Sequence, residues 1–292
     1  MRAVDHLASG VRRLPDLRGR VPLAWRLKRR QRAASLRGAW DMTLADGTRL
    51  TLPRSSEMTW RVAFTGHYDR PWQRLLLRYI RPGTTVLDVG ASLGLWTVPL
   101  AKAAREVGAR VWAFEPHPQN HPWLERNVAL NGLEGTVTIH RCALGDAVGE
   151  ARMGIGETQD FHGGNAAINV DPESALGVMV PVKRLDDFAF PASVSAVKID
   201  VEGYEISVLR GAKELIARDR PVILGEFNRH WIEQRGENLR AFLKDVGRDG
   251  YQPHVLEKRS SRPWMAARQV VPVPLSGGRE PRPGDDLFLL PL

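Results

Sequence analysis

The chain has 292 residues, 43% of them hydrophobic and 26% charged, which suits one α/β domain with additions and ample material for a core. Its single cysteine, Cys142, excludes a disulfide framework and a thiolate metal cluster, and reads as a buried strand residue. The net charge of +9 is local: residues 1–40 carry eleven Lys or Arg against Asp5 and Asp16, which leaves 31 basic and 31 acidic residues in the rest.

Residues 1–39 therefore read as a basic N-terminal arm or a helical cap on a neutral body, residues 40–292. With Trp25 and Trp40 as its aromatics, the arm lacks the interleaved rings that base stacking needs. No apolar run reaches membrane-spanning length and no signal-peptide core is present, so a cytoplasmic chain is expected. Alternating apolar residues on both sides of Asp46-Gly47 predict a β-hairpin. Trp72, Leu75, Leu76, Tyr79 and Ile80 share one face of a predicted helix that Arg81-Pro82-Gly83 stops. Strands are expected at about 85–90, 110–115, 136–142, 196–200 and 221–226, with helices between them, including about 119–130. Tyr251 to Leu256 and Leu287 to Leu290 read as final antiparallel strands. Alternating β and α elements predict a doubly wound, mainly parallel α/β sheet.

Val86-Leu87-Asp88-Val89-Gly90-Ala91-Ser92-Leu93-Gly94 is an apolar run closed by a glycine-rich turn, and Val111 to Glu115 is a second run closed by an acid. Strand, glycine loop, helix, strand and acid is the layout of a nucleotide-binding βαβ unit, in which the acid accepts hydrogen bonds from a ribose. The dinucleotide fingerprint fails, because Ser92 and Leu95 stand where its second and third glycines belong. No phosphate-binding G-x-x-x-x-G-K-[ST] follows any strand.

The D-x-G-x-x-x-G pattern resembles motif I of class I S-adenosylmethionine-dependent methyltransferases. Phe114-Glu115-Pro116, then Leu124, Asn127, Val128, Leu130 and Asn131, then Cys142 to Asp146, Val197 to Glu205, Val208 to Ala212 and Arg220 to Glu226 follow in order. This series is similar to the FkbM family, over roughly residues 40 to 292. Ser92 and Asp69 depart from it, standing where Asn and Glu are usual. The resemblance implies a Rossmann-like sheet of seven strands, the last inserted antiparallel. It also implies S-adenosylmethionine as cofactor and O-methylation of a small hydroxylated metabolite such as a sugar or polyketide. The implied cofactor residues are Tyr68, Asp88, Gly90, Ala91, Gly94, Glu115, Asp146 and Asp200, with Glu115 on the ribose and Asp146 toward the adenine amino group.

Asp200 and Glu202 stand at the end of the fourth strand, where the methyl group belongs, and Glu226 ends the fifth. Two carboxylates one residue apart point the same way if the strand persists and diverge at a turn. Either orients the sulfonium or the acceptor, or takes the acceptor proton; the alternative is a helix N-terminal acid serving the dipole. His230 is the best-placed imidazole for a general base, with His162 as its rival. Magnesium is not required by any spacing, although Asp200, Glu226 and His230 with His162 or Asp160 are a conceivable ligand set. The insert at 146–192 and the segment 258–284 are candidate mobile segments near the acceptor. Carboxyl or amine acceptors, and an RNA-associated role for the basic arm, are the alternatives; a homo-oligomer stays open. Asp200-Val201-Glu202-Gly203 occupies the place where base-modifying enzymes carry Asn/Asp-Pro-Pro-aromatic, which argues against a base acceptor. Intact Gly90, Gly94, Glu115 and Asp200 argue against a degenerate regulator.

Overall fold

The computed structural model describes residues 2–13, 19–31, 36–154, 177–259, 269–275, 281–282 and 285–292. Two helices, α1 (Arg2–Arg13) and α2 (Arg20–Arg29), open the described chain, so the basic leader is helical there. Both pack on α3 (Glu57–Thr65). Asp5 accepts two hydrogen bonds from Arg54, and Arg20, almost fully buried, donates to the carbonyl of Thr65. Strands β1 (Ala39–Thr43) and β2 (Arg49–Pro53) form the expected hairpin, with Gly47 at φ 78° in its turn. Glycine bears that conformation without a Cβ clash.

The central elements follow the predicted alternation. They are α4 (Arg70–Leu76), β3 (Thr85–Val89), α5 (Thr97–Glu106), β4 (Arg110–Phe114), α6 (His121–Leu130) and β5 (Val137–His140). Two short strands, β6 (Ala143–Leu144) and β7 (Gly149–Gly154), pair with β8 (Gly177–Lys183) in a separate three-stranded sheet. The insert is thus partly built as its own sheet; Asp160, His162 and its central glycines lie outside the described residues. The chain then returns through β9 (Val194–Ile199), α7 (Glu205–Arg210), α8 (Lys213–Asp219) and β10 (Val222–Glu226). Helices α9 (Arg229–Gln234) and α10 (Leu239–Arg248) precede β11 (Tyr251–Arg259), β12 (Gln269–Pro274) and β13 (Asp286–Pro291).

The main sheet has the order β12-β11-β13-β10-β9-β3-β4-β5, with β13 antiparallel between β10 and β11. Seven strands match the implied fold; β12 is an eighth that the sequence reading had placed in a mobile segment. Val270, Val271 and Val273 pair with Lys258, Glu257 and Val255, so an edge strand forms where composition alone suggested loop. Cys142 is buried, as expected, but in a bend between β5 and β6 rather than in a strand.

Alternate residues of each parallel strand feed two cores. Val86, Val111, Ala113 and Ala196 face one cluster with the hairpin and α3, α5 and α6. Leu87, Val89, Phe114, Val197 and Ile199 face the other, with α7 and α10. Burial on both faces explains why these strands read as near-continuous apolar runs. It also makes their C-terminal ends, where the polar residues gather, the open edge of the sheet.

Candidate cofactor and methyl-acceptor site

Three turns meet at that edge. After β3, the amides of Gly90 and Ala91 both donate to the carbonyl of Phe114, at 3.0 Å each. Gly90 sits at φ 80°, and a Cβ there would lie 1.9 Å from the carbonyl oxygen of Asp200. Gly94, at φ 85°, meets Leu124 of α6, which a Cβ would approach to 3.0 Å. Gly90 is therefore demanded by backbone contact with the turn after β9, whereas Gly94 is favoured by its positive φ and faces the Leu124 side chain. Ser92 adopts φ 50° without being glycine. Asn127 of α6 donates to the Leu93 carbonyl at 2.8 Å and accepts from Thr51 of the hairpin at 2.7 Å, so the loop is braced from outside.

Glu115 closes β4 and is buried. Its Oε1 accepts from the His117 amide at 2.8 Å and from Asn120 at 3.1 Å; its Oε2 accepts from the Ser92 amide at 2.7 Å. Burial raises its pKa above the ordinary carboxylate value, while these hydrogen bonds and Lys198 act the other way. A carboxylate has about four acceptor positions. Three donors therefore fix this one in place and leave lone-pair capacity for a ligand hydroxyl.

Asp88 is fully buried and accepts from the Thr97 hydroxyl, at 2.6 Å, at the start of α5. It faces Lys198, its register partner across β3 and β9, with 3.5 Å between Oδ1 and Nζ. Its role is therefore inside the loop scaffold. Lys198 also reaches Asp200, at 3.7 Å. Burial alone would disfavour the ammonium, but Asp88 and Asp200 more than offset it and hold its pKa above the ordinary lysine value.

Strand β9 stops at Ile199, so Asp200 and Glu202 do not share a strand face. Glu202 lies in the turn at φ 54°, and Gly203 follows at φ 96°. Glu205, buried at the start of α7, accepts from the amides of Val201 and Gly203 at 3.1 Å each and so shapes this turn. Arg235, just after α9, donates to the Glu202 carbonyl at 3.1 Å and stacks on the Tyr204 ring at 3.8 Å. Burial, then the neighbouring Asp200 and Glu226, raise Glu202 to about 8. Burial likewise raises Glu205 to about 7 against its hydrogen bonds.

Glu226 and Asp286 are register partners at the ends of β10 and β13. Desolvation, then Glu226 and Asp69, raise Asp286 to about 7. Asp69 precedes α4 at φ 44° and accepts from Arg61 at 2.7 Å. Tyr68 beside it lies under the Arg61 guanidinium, 4.7 Å from its ring centre. Burial and then Asp69 and Asp200 push the phenol well above its ordinary value. Like charges brought together in this way hold protons that isolated carboxylates release.

Two predicted residues stand apart from this edge in their contacts. Asp146 accepts from the Ser207 hydroxyl at 2.9 Å, at the start of the side sheet's loop. His230 is exposed on α9, with Nε2 3.0 Å from the Gln234 amide nitrogen. Among the described residues, no group of three or more His, Cys, Asp and Glu is placed to hold a metal ion. Lys198, Glu205 and Asp286 were missed as site residues. A lysine between Val197 and Ile199 in a buried strand was the available signal for the first; only the β13 insertion reveals the last.

A profile described as the Methyltransferase FkbM domain matches residues 88–251, more than half of the chain. The chain belongs to the FkbM methyltransferase family. Its relatives include the 31-O-demethyl-FK506 methyltransferase FkbM of Streptomyces tacrolimicus, 29% identical over 164 residues, which covers 46% of this chain and 62% of that protein. Methyltransferase 1 of Beauveria bassiana (strain ARSEF 2860) is 29% identical over 147 residues, covering 43% of this chain and 57% of that protein. The matched stretch thus spans less than two thirds of either relative. Among solved structures, methyltransferase FkbM from Methylobacillus flagellatus KT matches at 18% identity and a TM-score of 0.44, covering 92% of this chain and 58% of that one. Among the described residues of this FkbM-family chain, no helix is long and apolar enough to cross a membrane.

Proposed function

We propose that this protein is an S-adenosylmethionine-dependent O-methyltransferase acting on a hydroxyl of a small metabolite, a sugar, glycoside or polyketide. The observation that carries the reading is Glu115: a buried carboxylate fixed by three donors, beside a glycine turn too tight for any side chain at Gly90. A fixed acid next to a bare backbone suits a ribose diol, and the absence of the dinucleotide glycines suits a cofactor without phosphates. Glu115 would hold the ribose, and Gly90, Ala91 and Gly94 would admit the cofactor against the backbone. Asp88 would keep the loop in shape, Tyr68 and Asp200 would border the sulfonium, and Asp146 would lie toward the adenine.

The cofactor supplies an electrophilic methyl group on a sulfonium. The carboxylates of Asp69 and Asp200 carry negative charge at the acceptor edge, beside Glu202, Glu226 and Asp286, which hold their protons more tightly, and this charge favours a cationic donor over its neutral product. Alignment of the acceptor hydroxyl at this edge contributes roughly 7–11 kcal/mol in favourable cases. Asp200, paired with Lys198, orients; Glu202 takes or holds a proton at the turn. His230, as an exposed imidazole, is the alternative base. The relative from Streptomyces tacrolimicus, whose name states an O-demethyl substrate, supports a hydroxyl acceptor.

The test is thermal unfolding with saturating S-adenosylhomocysteine, with NAD as control. Ligand at a hundredfold its Kd adds about 2.7 kcal/mol, a shift of a few degrees. We expect a shift with S-adenosylhomocysteine alone, lost in Glu115→Ala. Transfer of a labelled methyl group to a panel of sugar and polyketide alcohols then identifies the acceptor. No shift at millimolar ligand would refute the reading.

A further inference from the structure

Lys198 is buried near the C-terminal end of β9, between the core residues Val197 and Ile199. Its ammonium has four oxygens around it. It donates to the carbonyls of Gly90 at 2.9 Å and Val89 at 3.4 Å, and pairs with Asp88 at 3.5 Å and Asp200 at 3.7 Å. Neutralising one buried lysine needs one carboxylate, and Asp88, across the sheet register, already provides it. The other partners are the last residue of β3, Val89, and one residue from each of two turns, Gly90 of the glycine loop and Asp200 after β9. Those turns touch directly, since a Cβ on Gly90 would strike the Asp200 carbonyl. The Asp200 amide in turn donates to the Val89 carbonyl at 3.0 Å.

We propose that Lys198 is a positioning residue for the cofactor: it pins the Gly90 carbonyl and the Asp200 carboxylate in one arrangement before ligand arrives. The assignment rests on the cofactor reading given above. The ammonium has three protons to distribute, and the Gly90 carbonyl takes the best of them. Without it, that carbonyl is free to turn into the cleft, and Asp200 loses the cation that fixes its direction. A preorganised loop binds more tightly because less ordering is left for the ligand to cause.

The competing explanation is that Lys198 only neutralises Asp88. Lys198→Met alone does not separate the two, since it strands a buried carboxylate and destabilises the fold. The double variant Asp88→Asn/Lys198→Met, read against Asp88→Asn alone, does separate them, because a mere counterion would leave the two variants alike in binding and exchange. The double change removes both buried charges, keeps an acceptor for the Thr97 hydroxyl and leaves Asp200 in place without its pin. Calorimetry with S-adenosylhomocysteine and S-adenosylmethionine, and amide hydrogen exchange, would be measured on the wild type, Asp88→Asn and the double variant.

We expect the double variant to regain most of the unfolding temperature lost in Lys198→Met, yet to bind both ligands about tenfold more weakly than Asp88→Asn, or worse. The amides of residues 90–93 and 200–203 should exchange faster in the unliganded double variant than in Asp88→Asn. If it does not fold, Asp88→Asn/Lys198→Gln keeps a neutral donor toward Gly90 and carries the same comparison, with a smaller loss expected. Binding within about twofold of Asp88→Asn and unchanged exchange would leave Lys198 as a counterion only and overturn the proposal. Failure of the wild type itself to bind either ligand would overturn the cofactor reading, and this assignment with it.

Discussion

The two halves of the cleft hold their carboxylates in opposite ways. On the β3–β4 side, Glu115 and Asp88 are buried, but each has its own donors: three N–H groups for Glu115, Thr97 and Lys198 for Asp88. On the β9–β10–β13 side, Glu202, Glu226 and Asp286 stand near one another, the first and last partly buried and Glu226 exposed, with Asp69 and Asp200 adding charge, and all three have raised proton affinity. A carboxylate satisfied by fixed donors is a binding group, rigid and indifferent to its neighbours. Carboxylates that crowd one another are proton-holding groups whose state depends on ligand and pH. The contrast supports the proposed reading, in which one side would hold the cofactor and the other would face the acceptor.

The largest effect should come from Gly90→Ala. The substitution places a methyl group against the Asp200 carbonyl and imposes φ 80° on a residue with a Cβ. We expect a loss of roughly 3 kcal/mol or more, read by chemical denaturation, together with loss of any S-adenosylhomocysteine response. A variant that unfolds like the wild type would show that the two halves are not in contact as described.

An intermediate effect should follow pH. Glu202 releases its proton at about 8 in the folded chain, against an ordinary value of 4.5. Between those values the folded state binds more protons than the unfolded one, so stability falls as pH rises through the window. Glu205 and Asp286, at about 7, add to the same slope. Glu202→Gln should flatten the decline between about pH 5 and 8 while preserving S-adenosylhomocysteine binding. An unchanged slope in denaturation curves across that range would mean that the acceptor edge is not crowded in solution.

The smallest effect should be His230→Ala. The side chain is exposed and, among the described residues, meets Gln234 and the Trp231 ring of its own helix, so stability should change by less than about 0.5 kcal/mol. Ligand binding should be unaffected, and methyl transfer should persist. A fall of roughly 10² or more in the transfer rate would move the base from the carboxylate edge to the imidazole.

Much of this division was legible residue by residue. Gly90, Glu115 and Asp200 could be named because each directly follows an apolar strand, and Gly94 because it completes the turn after the first; the ends of buried parallel strands are where backbone and polar groups become available. The hairpin at Asp46-Gly47 was legible because its turn chemistry is local. Helix α3 was not read at all: in Trp60-Arg61-Val62-Ala63-Phe64 nearly every residue but Arg61 is buried, so no amphipathic stripe marks it. Strand β12 is hidden by the arginines and prolines around it, and the sequence leaves open whether Glu202 shares a face with Asp200 because nothing local announces that β9 ends at Ile199.

The sequence by itself determined the hairpin, the alternation of the central strands and helices, the glycine loop and the acid after β4, because those depend on periodicity and on turns a few residues long. Only the tertiary structure decided that β13 slots beside β10 and sets Asp286 against Glu226, and that Lys198 bridges two turns separated by about a hundred positions. Such pairings are made across the sheet between segments remote in the chain. Their energies come from desolvation and charge proximity, neither of which exists until the sheet has formed.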